Sequence, residues 1–313
     1  MSIIISGSMA YDRIMDFPGY FADHILPEKI HLINISFTVN GMVEKFGGTA
    51  GNIAYALSLL GEKPLIVATI GHDYQRYFAW LEKNNIGTGH IKIIAEEFTA
   101  GAYITTDRAD NQITGFNPGA MKYPSNFDFD SLNPAESIAI IAPGNLDDMM
   151  NYSDVCRKRG IPYIFDPGQS LSHGWKADDL VNCIKGSQIL ISNDYELELL
   201  MSKTGLDKKR LLELTGAVIT TLGGKGSHLS TKEADITIPV VKPEKVVDPT
   251  GCGDAYRGAL IYGLRHGGTL REAALMGSVA ASFCVEVYGT QDYHFTPEEF
   301  NTRLRKCSPS INE

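Results

Sequence analysis

Six short runs of the chain are almost continuously aliphatic: IIIS at 3–6, LIVATIG at 65–71, SIAIIAPG at 137–144, IPYIFDPG at 161–168, QILISND at 188–194 and AVITTLGG at 217–224. Runs of this length without polar alternation are strands covered on both faces, the habit of a parallel sheet. Helical spacing appears between and beyond them. Residues 50–60, AGNIAYALSLL, stop at Gly61, a helix-ending glycine. Residues 194–202 carry apolar positions at the same spacing. Residues 270–285 follow Thr269, with Glu272 three positions on, a capping-box pattern. TPEE at 296–299 is a similar start signal near the C-terminus. Strand–helix alternation predicts a doubly wound α/β sheet, mostly parallel, flanked by helices and joined by right-handed crossovers, as one domain over residues 1–313.

Two stretches do not fit a βα unit. Residues 12–46 contain HLINISFTV, and residues 98–116 read FTAGAYITTDRADNQITGF, two β-rich runs around the polar turn DRADN. Far apart in sequence, they are expected to pair into a small β lid over the carboxyl ends of the main strands, where open α/β sheets bind ligands. The terminal KCSPSINE is expected to fray.

Composition changes little in this picture but closes off alternatives. With 313 residues, 43% of them hydrophobic and 21% charged, the chain is long enough to bury about three-quarters of its unfolded surface. Its net charge of −9, with no basic block, excludes a nucleic-acid surface and leaves any anionic ligand to local groups. Cys156, Cys183, Cys252, Cys284 and Cys307 show no CxxC spacing, which argues against a zinc site or disulfide framework. No run approaches the roughly 18 apolar residues of a membrane span, and MSIIISGSMA lacks a basic n-region, so a cytoplasmic protein is expected.

The chemistry concentrates in VVDPTGCGDAYRGALIYGL, residues 246–264. Gly251, Cys252 and Gly253 precede a helix that can run from Asp254 to about Arg265, with Ala255, Ala259, Leu260 and Leu264 on its apolar side. Glycines bring backbone amides close to a ligand, and the unpaired N–H groups of a helix start favour an anion. The local pattern also permits a plain turn with Asp254 as its cap. An acid on each side, Asp248 and Asp254, favours a phosphate site where a hydroxyl loses its proton. The Walker, dinucleotide, nucleophile-elbow and HExxH motifs are absent.

DPTGCGD at 248–254 resembles the Asp-Thr-x-Gly-Ala-Gly-Asp signature of the ribokinase-like, phosphofructokinase-B type carbohydrate kinases, with Pro249 and Cys252 as departures. Other motifs follow the family order: GSMAYDRI at 7–14, FGGTAGNIAYALSLLG at 46–61, NDYE at 193–196 and TTLGGKG at 220–226. The resemblance covers residues 2 to about 295. It implies ATP as phosphoryl donor with Mg2+, and a nucleoside or sugar as acceptor. Asp254 is implied as the base, and the amides of Gly251, Cys252 and Gly253 as the anion hole. Asn193, Glu196, Thr221, Gly223 and Gly226 fall on the nucleotide side, with Glu196 serving Mg2+ directly or through water. Asp12, Gly47, Gly48 and Asn52 fall on the acceptor side, and a K+ ion beside Asp248 follows by the same analogy. Asn193 and Glu196 also read as a helix cap, and Gly47–Gly48 as a plain turn.

Within the family, the insert after Asp12, the NQITGFNPGAM segment and YGTQDYHF resemble bacterial adenosine or nucleoside kinases. Phe37, Phe116 and Asn117 then become candidates for nucleoside contact, the two rings reading equally as lid core or as a homodimer surface. Sugar kinases of the family often carry Asp-x-Asn-x-Arg after the middle strand. FDPGQS at 165–170 lacks that arginine, which points away from a phosphorylated sugar. A ribose or fructose kinase, and a silent ligand-binding sensor on the same fold, are the competing readings.

Overall fold

The computed structural model describes residues 2–25, 31–32 and 34–307. Each of the six aliphatic runs forms a strand of one sheet: β1 (Ser2–Ser6), β4 (Leu65–Gly71), β8 (Ser137–Ile141), β9 (Tyr163–Phe165), β10 (Ile189–Asn193) and β11 (Ala217–Thr221). Three shorter strands extend it: β5 (Ile91–Ile94), β12 (Ser227–Ser230) and β13 (Asp235–Ile238). The order is β13-β12-β11-β10-β9-β8-β1-β4-β5, parallel except where β12 pairs with β11 and β13 with β12. These two antiparallel strands are short and mix polar with apolar residues, so their sequence gives no aliphatic run to read.

Successive residues of each central strand feed opposite faces. Ile3 and Ile5 join a core with α1 (Thr49–Leu59), α2 (Gln75–Lys83), α7 (Cys252–Arg265), α8 (Leu270–Cys284) and α9 (Pro297–Cys307). Ile4 joins the other core with α3 (Leu146–Arg159), α4 (Ala177–Ile184), α5 (Asp194–Thr204) and α6 (Lys208–Leu214). At about 1.5–3 kcal/mol for each fully buried aliphatic side chain, these two layers fix the scaffold. The capping boxes read at Thr269/Glu272 and Asn193/Glu196 are both formed. No described helix is long and apolar enough to cross a membrane.

A second sheet stands apart, ordered β3-β2-β6-β7, from β2 (Ala10–Asp16), β3 (Met42–Gly47), β6 (Ala100–Thr106) and β7 (Gln112–Asn117). β3 and β7 run antiparallel to their neighbours, while β2 and β6 are parallel. The strand read in HLINISFTV does not form: residues 34–39 have no regular structure and Ile33 lies outside the described residues. Phe37 instead packs on Phe17 and Phe21, at ring separations of 4.6 and 5.5 Å. Of the terminal KCSPSINE, Lys306 and Cys307 belong to α9, and residues 308–313 lie outside the described residues.

Candidate active site

The carboxyl ends of the central strands, the start of α7 and the inner edge of the small sheet converge on one crevice. α7 opens on Gly251, whose φ of +79° is left-handed. A Cβ there would come within 2.9 Å of the Thr290 side chain, so only glycine fits. The turn presents the amides of Gly251, Gly253 and Asp254, which have no partner among the described residues. The Cys252 amide is a correction to the expected anion hole, because it turns back onto the Pro249 carbonyl at 3.2 Å. Asp248 braces the turn, accepting from the Thr250 amide at 2.9 Å and the Gly289 amide at 3.1 Å.

Asp254, in the first turn of α7, keeps some solvent contact but is ringed by protein. The start of a helix is expected to stabilise its carboxylate and weaken it as a base. The opposite holds: burial pushes the Asp254 carboxyl up, and nearby Glu196 adds to this, while Arg257 and the Asn52 hydrogen bond only partly offset it. Desolvation of a carboxylate outweighs the dipole of one helix turn. Asn52 is buried, donates to Asp254 Oδ2 at 2.8 Å and accepts from Gln291 at 2.9 Å. Gln291 also bonds the Tyr77 hydroxyl and Trp80 Nε1, and Tyr77 donates to the Gly47 carbonyl at 2.7 Å. A buried chain of hydrogen bonds thus ties Asp254 to the glycine pair. Asn52, expected on ribose, is committed to this chain at both ends.

Gly48 precedes α1 with a φ of +87°, and a Cβ on it would strike the Ser8 carbonyl at 2.6 Å. The Asp12 carboxylate lies against Gly47, 2.6 Å from where a Cβ would stand. Burial raises the Asp12 carboxyl, helped by the charges of Asp254 and Asp248, which places the three acids around one space. Asp12, Ala102 and Phe116 are paired across β2, β6 and β7, so their side chains leave the small sheet on one face. Asn117, one residue on, leaves on the other face and accepts from the Gly119 amide at 3.1 Å. The structure therefore brings Phe116, and neither Asn117 nor Phe37, to the side of Asp12.

On the other flank, Asn193 and Glu196 close the capping box of α5, using the Asn193 side-chain oxygen and one oxygen of Glu196. Glu196 is within electrostatic reach of Asp166, Asp254 and Arg257. Thr221 ends β11, and Gly223 and Gly226 form the following turn, closed by the Leu222 amide on the Gly226 carbonyl at 2.8 Å. Val240, exposed, adjoins this turn, its backbone nitrogen lying 2.8 Å from where a Cβ of Gly226 would stand. Among the described residues no three His, Cys, Asp or Glu side chains gather as a metal cage. Glu196 offers the hard oxygen donor that suits Mg2+, an ion bound through one or two carboxylates, phosphates and water.

One cation was missed. Asp166, directly after β9, is 1% exposed and faces the Arg257 guanidinium, with Nη2–Oδ1 at 2.9 Å and Nε–Oδ2 at 2.5 Å. Burial nevertheless pushes the Asp166 carboxyl up to about 6, against the pull of Arg257. Arg257 thus brings a cation from α7 against the end of β9, beside FDPGQS. Arg257 is plain in GCGDAYRG, but its partner is 91 positions away and no local pattern pairs them.

A helix start with unpaired amides and an adjacent carboxylate, set at the strand ends of a doubly wound sheet, suits the transfer of a phosphoryl group to a hydroxyl. The model of the pfkB family of carbohydrate kinases matches residues 11–296, and the chain belongs to that family of phosphotransferases with a hydroxyl acceptor. A nucleoside kinase of Methanocaldococcus jannaschii is 33% identical over 285 residues, covering 89% of this chain and 92% of that protein. The structure of Burkholderia thailandensis nucleoside kinase in complex with inosine superposes with a TM-score of 0.85 at 36% identity, covering 98% of each chain. Ribokinase from Thermotoga maritima, at 24% identity and a TM-score of 0.81, shares the fold.

Proposed function

We propose that this protein transfers the γ-phosphoryl group of ATP to the 5′-hydroxyl of a purine nucleoside, adenosine foremost. The observation that carries the reading is the meeting of three things at Asp254: the unpaired amides of the glycine turn, the Asn52 hydrogen bond and the neighbouring acid Asp12. The relatives named as nucleoside kinases, one of them holding inosine, support the acceptor class.

In this reading Asp12 accepts hydrogen bonds from the ribose hydroxyls, and Gly47 and Gly48 let the backbone approach the sugar. Phe116, 52% exposed and on the face of Asp12, covers the base. Asp254 accepts the 5′-hydroxyl proton as the new O–P bond forms. The free amides of Gly251, Gly253 and Asp254 meet the charge on the moving phosphoryl group, each worth about 3–4 kcal/mol in the transition state. Thr221, Gly223 and Gly226, with Val240 beside them, take the donor nucleotide, near the Asn193–Glu196 cap. Mg2+ neutralises phosphate charge when bound, and Glu196 is the residue that holds it. K+ beside Asp248 belongs to the same proposal, since each Asp248 oxygen keeps a second lone pair beyond its amide. Exposed Met42 and Ile113, in line across the small sheet on the face away from Asp12, give it an apolar surface suited to a homodimer, which sedimentation would reveal.

The test is ADP release with adenosine, inosine, ribose and fructose in turn. Turnover with the nucleosides well above that with free sugars supports the reading. Turnover with ribose or fructose alone would make the chain a sugar kinase, and none with any acceptor would make it a sensor.

A further inference from the structure

Arg257 is 7% exposed and, among the described residues, is the only buried Lys or Arg. It sits in the second turn of α7, and its side chain runs back toward the helix start, as helical side chains do. Two nitrogens of its guanidinium face Asp166. The third, Nη1, makes no hydrogen bond to any described residue and lies 2.6 Å from where a Cβ of Gly253 would stand. Gly253 carries one of the unpaired amides of the turn, so a side-chain donor and an unpaired backbone donor lie side by side at the start of α7. A side chain at 253 would push that nitrogen from its place.

Charge makes the arrangement more than structural. Asp166, Glu196 and Asp254 all lie within electrostatic reach of Arg257, and no second buried cation offsets them. An ATP γ-phosphate entering this corner meets three carboxylates and a net protein charge of −9. Helix-start amides carry only about half an elementary charge between them. A full positive charge with a fixed planar fork is what a transferring phosphoryl group needs here.

We propose that Arg257 is a catalytic residue of phosphoryl transfer, its Nη1 donating to an oxygen of the phosphoryl group in flight while Asp166 holds the opposite edge of the guanidinium. This rests on the kinase reading above. The acceptor O–P bond forms as the bond from phosphorus to the bridging oxygen of ADP breaks, and the acceptor proton passes to Asp254. Charge on the three oxygens of the moving group is met by Nη1 together with the turn amides. Asp166 is then a positioning residue, which keeps the guanidinium from swinging onto Asp254 or Glu196.

The experiment compares wild type with Arg257→Lys, Arg257→Ala and the paired Asp166→Leu/Arg257→Met. Apolar replacement of both members of a buried ion pair generally preserves folding. Each protein is assayed for kcat and KM with MgATP and whichever of adenosine, inosine, ribose or fructose wild type turns over best. Melting temperature and acceptor affinity by calorimetry are measured alongside. The proposal expects Arg257→Lys and the double variant to stay folded, bind acceptor within about threefold, and lose at least about 10²-fold in kcat, on the scale of supplied arginines in phosphoryl transfer. Free guanidinium ion should restore at least tenfold of the lost kcat to Arg257→Ala and none to Arg257→Lys. A folded double variant with kcat within about threefold of wild type overturns the proposal, and so does an Arg257→Ala protein that guanidinium leaves unchanged. Wild type inert with all four acceptors defeats the kinase reading itself, whereas an active kinase indifferent to Arg257 defeats only this inference.

Discussion

At the scale of single residues, the account rests on two acids with different work. Asp254→Asn keeps the shape and the Asn52 contact but cannot take a proton. It should bind ATP and nucleoside nearly as wild type and lose at least about 10²-fold in kcat, the usual scale of general-base loss; steady-state kinetics with calorimetric binding checks this. Because burial holds the Asp254 carboxyl above its ordinary value, kcat should fall on the acid side at a pH above the roughly 3.9 of a free aspartate. The sign follows from the base working ionised. Asn52→Ala removes a hydrogen bond that favours the ionised form, so it should move that acid limb higher still. An unmoved limb would detach Asn52 from the base. Asp12→Ala should weaken acceptor binding by about 1.5–3 kcal/mol per lost charge-assisted bond and leave ATP affinity nearly intact. Some of this was readable in advance: Asp254 and Asp12 stand in motifs of known order. The direction in which the environment shifts Asp254 was not, because it depends on how many atoms of other elements surround it.

At the scale of elements, the strands, caps and glycine turns that the sequence advertises are those whose cause is local. An aliphatic run declares a central strand, and Thr269 with Glu272 declares a helix start. β12 and β13 were silent because each is only four residues long and mixes polar with apolar positions, and each is held in the sheet largely by the backbone of a neighbouring strand. HLINISFTV misled for the converse reason: among its described residues Ile35, Thr38 and Val39 join no strand, and Phe37 packs in the ring cluster with Phe17 and Phe21. The pairing of Asp166 with Arg257, and the Asn52–Gln291–Tyr77 chain, join residues far apart in sequence and belong to tertiary structure alone. Gly48→Ala tests one of the legible elements. Its left-handed backbone and the 2.6 Å approach to the Ser8 carbonyl should cost about 1–3 kcal/mol, seen as a lower denaturation midpoint with reduced acceptor affinity. The small sheet offers another test. β7 is exposed along its whole length, so nucleoside should slow hydrogen exchange in 100–106 and 112–117 by covering Phe116, and ribose should do so less. Equal protection by ribose would mean that the base contributes nothing there.

At the scale of the whole molecule, an acidic protein gathers a few unpaired donors at one end of a sheet, where the proposed function places the anion. Two helical layers hold that sheet rigid, and the strand ends, the start of α7 and the small sheet close on the same crevice from three sides. In the proposed function the turn amides take phosphate and Asp12 takes the acceptor, with Asp254 near both. The most direct test is acceptor-dependent ADP release at neutral pH with Mg2+ present, wild type beside Asp254→Asn, across adenosine, inosine, ribose and fructose. The account predicts ADP formed in step with nucleoside 5′-phosphate, the highest rate with adenosine or inosine, and near silence from Asp254→Asn. Equal rates from the two proteins, or turnover with free sugars and none with nucleosides, would contradict it.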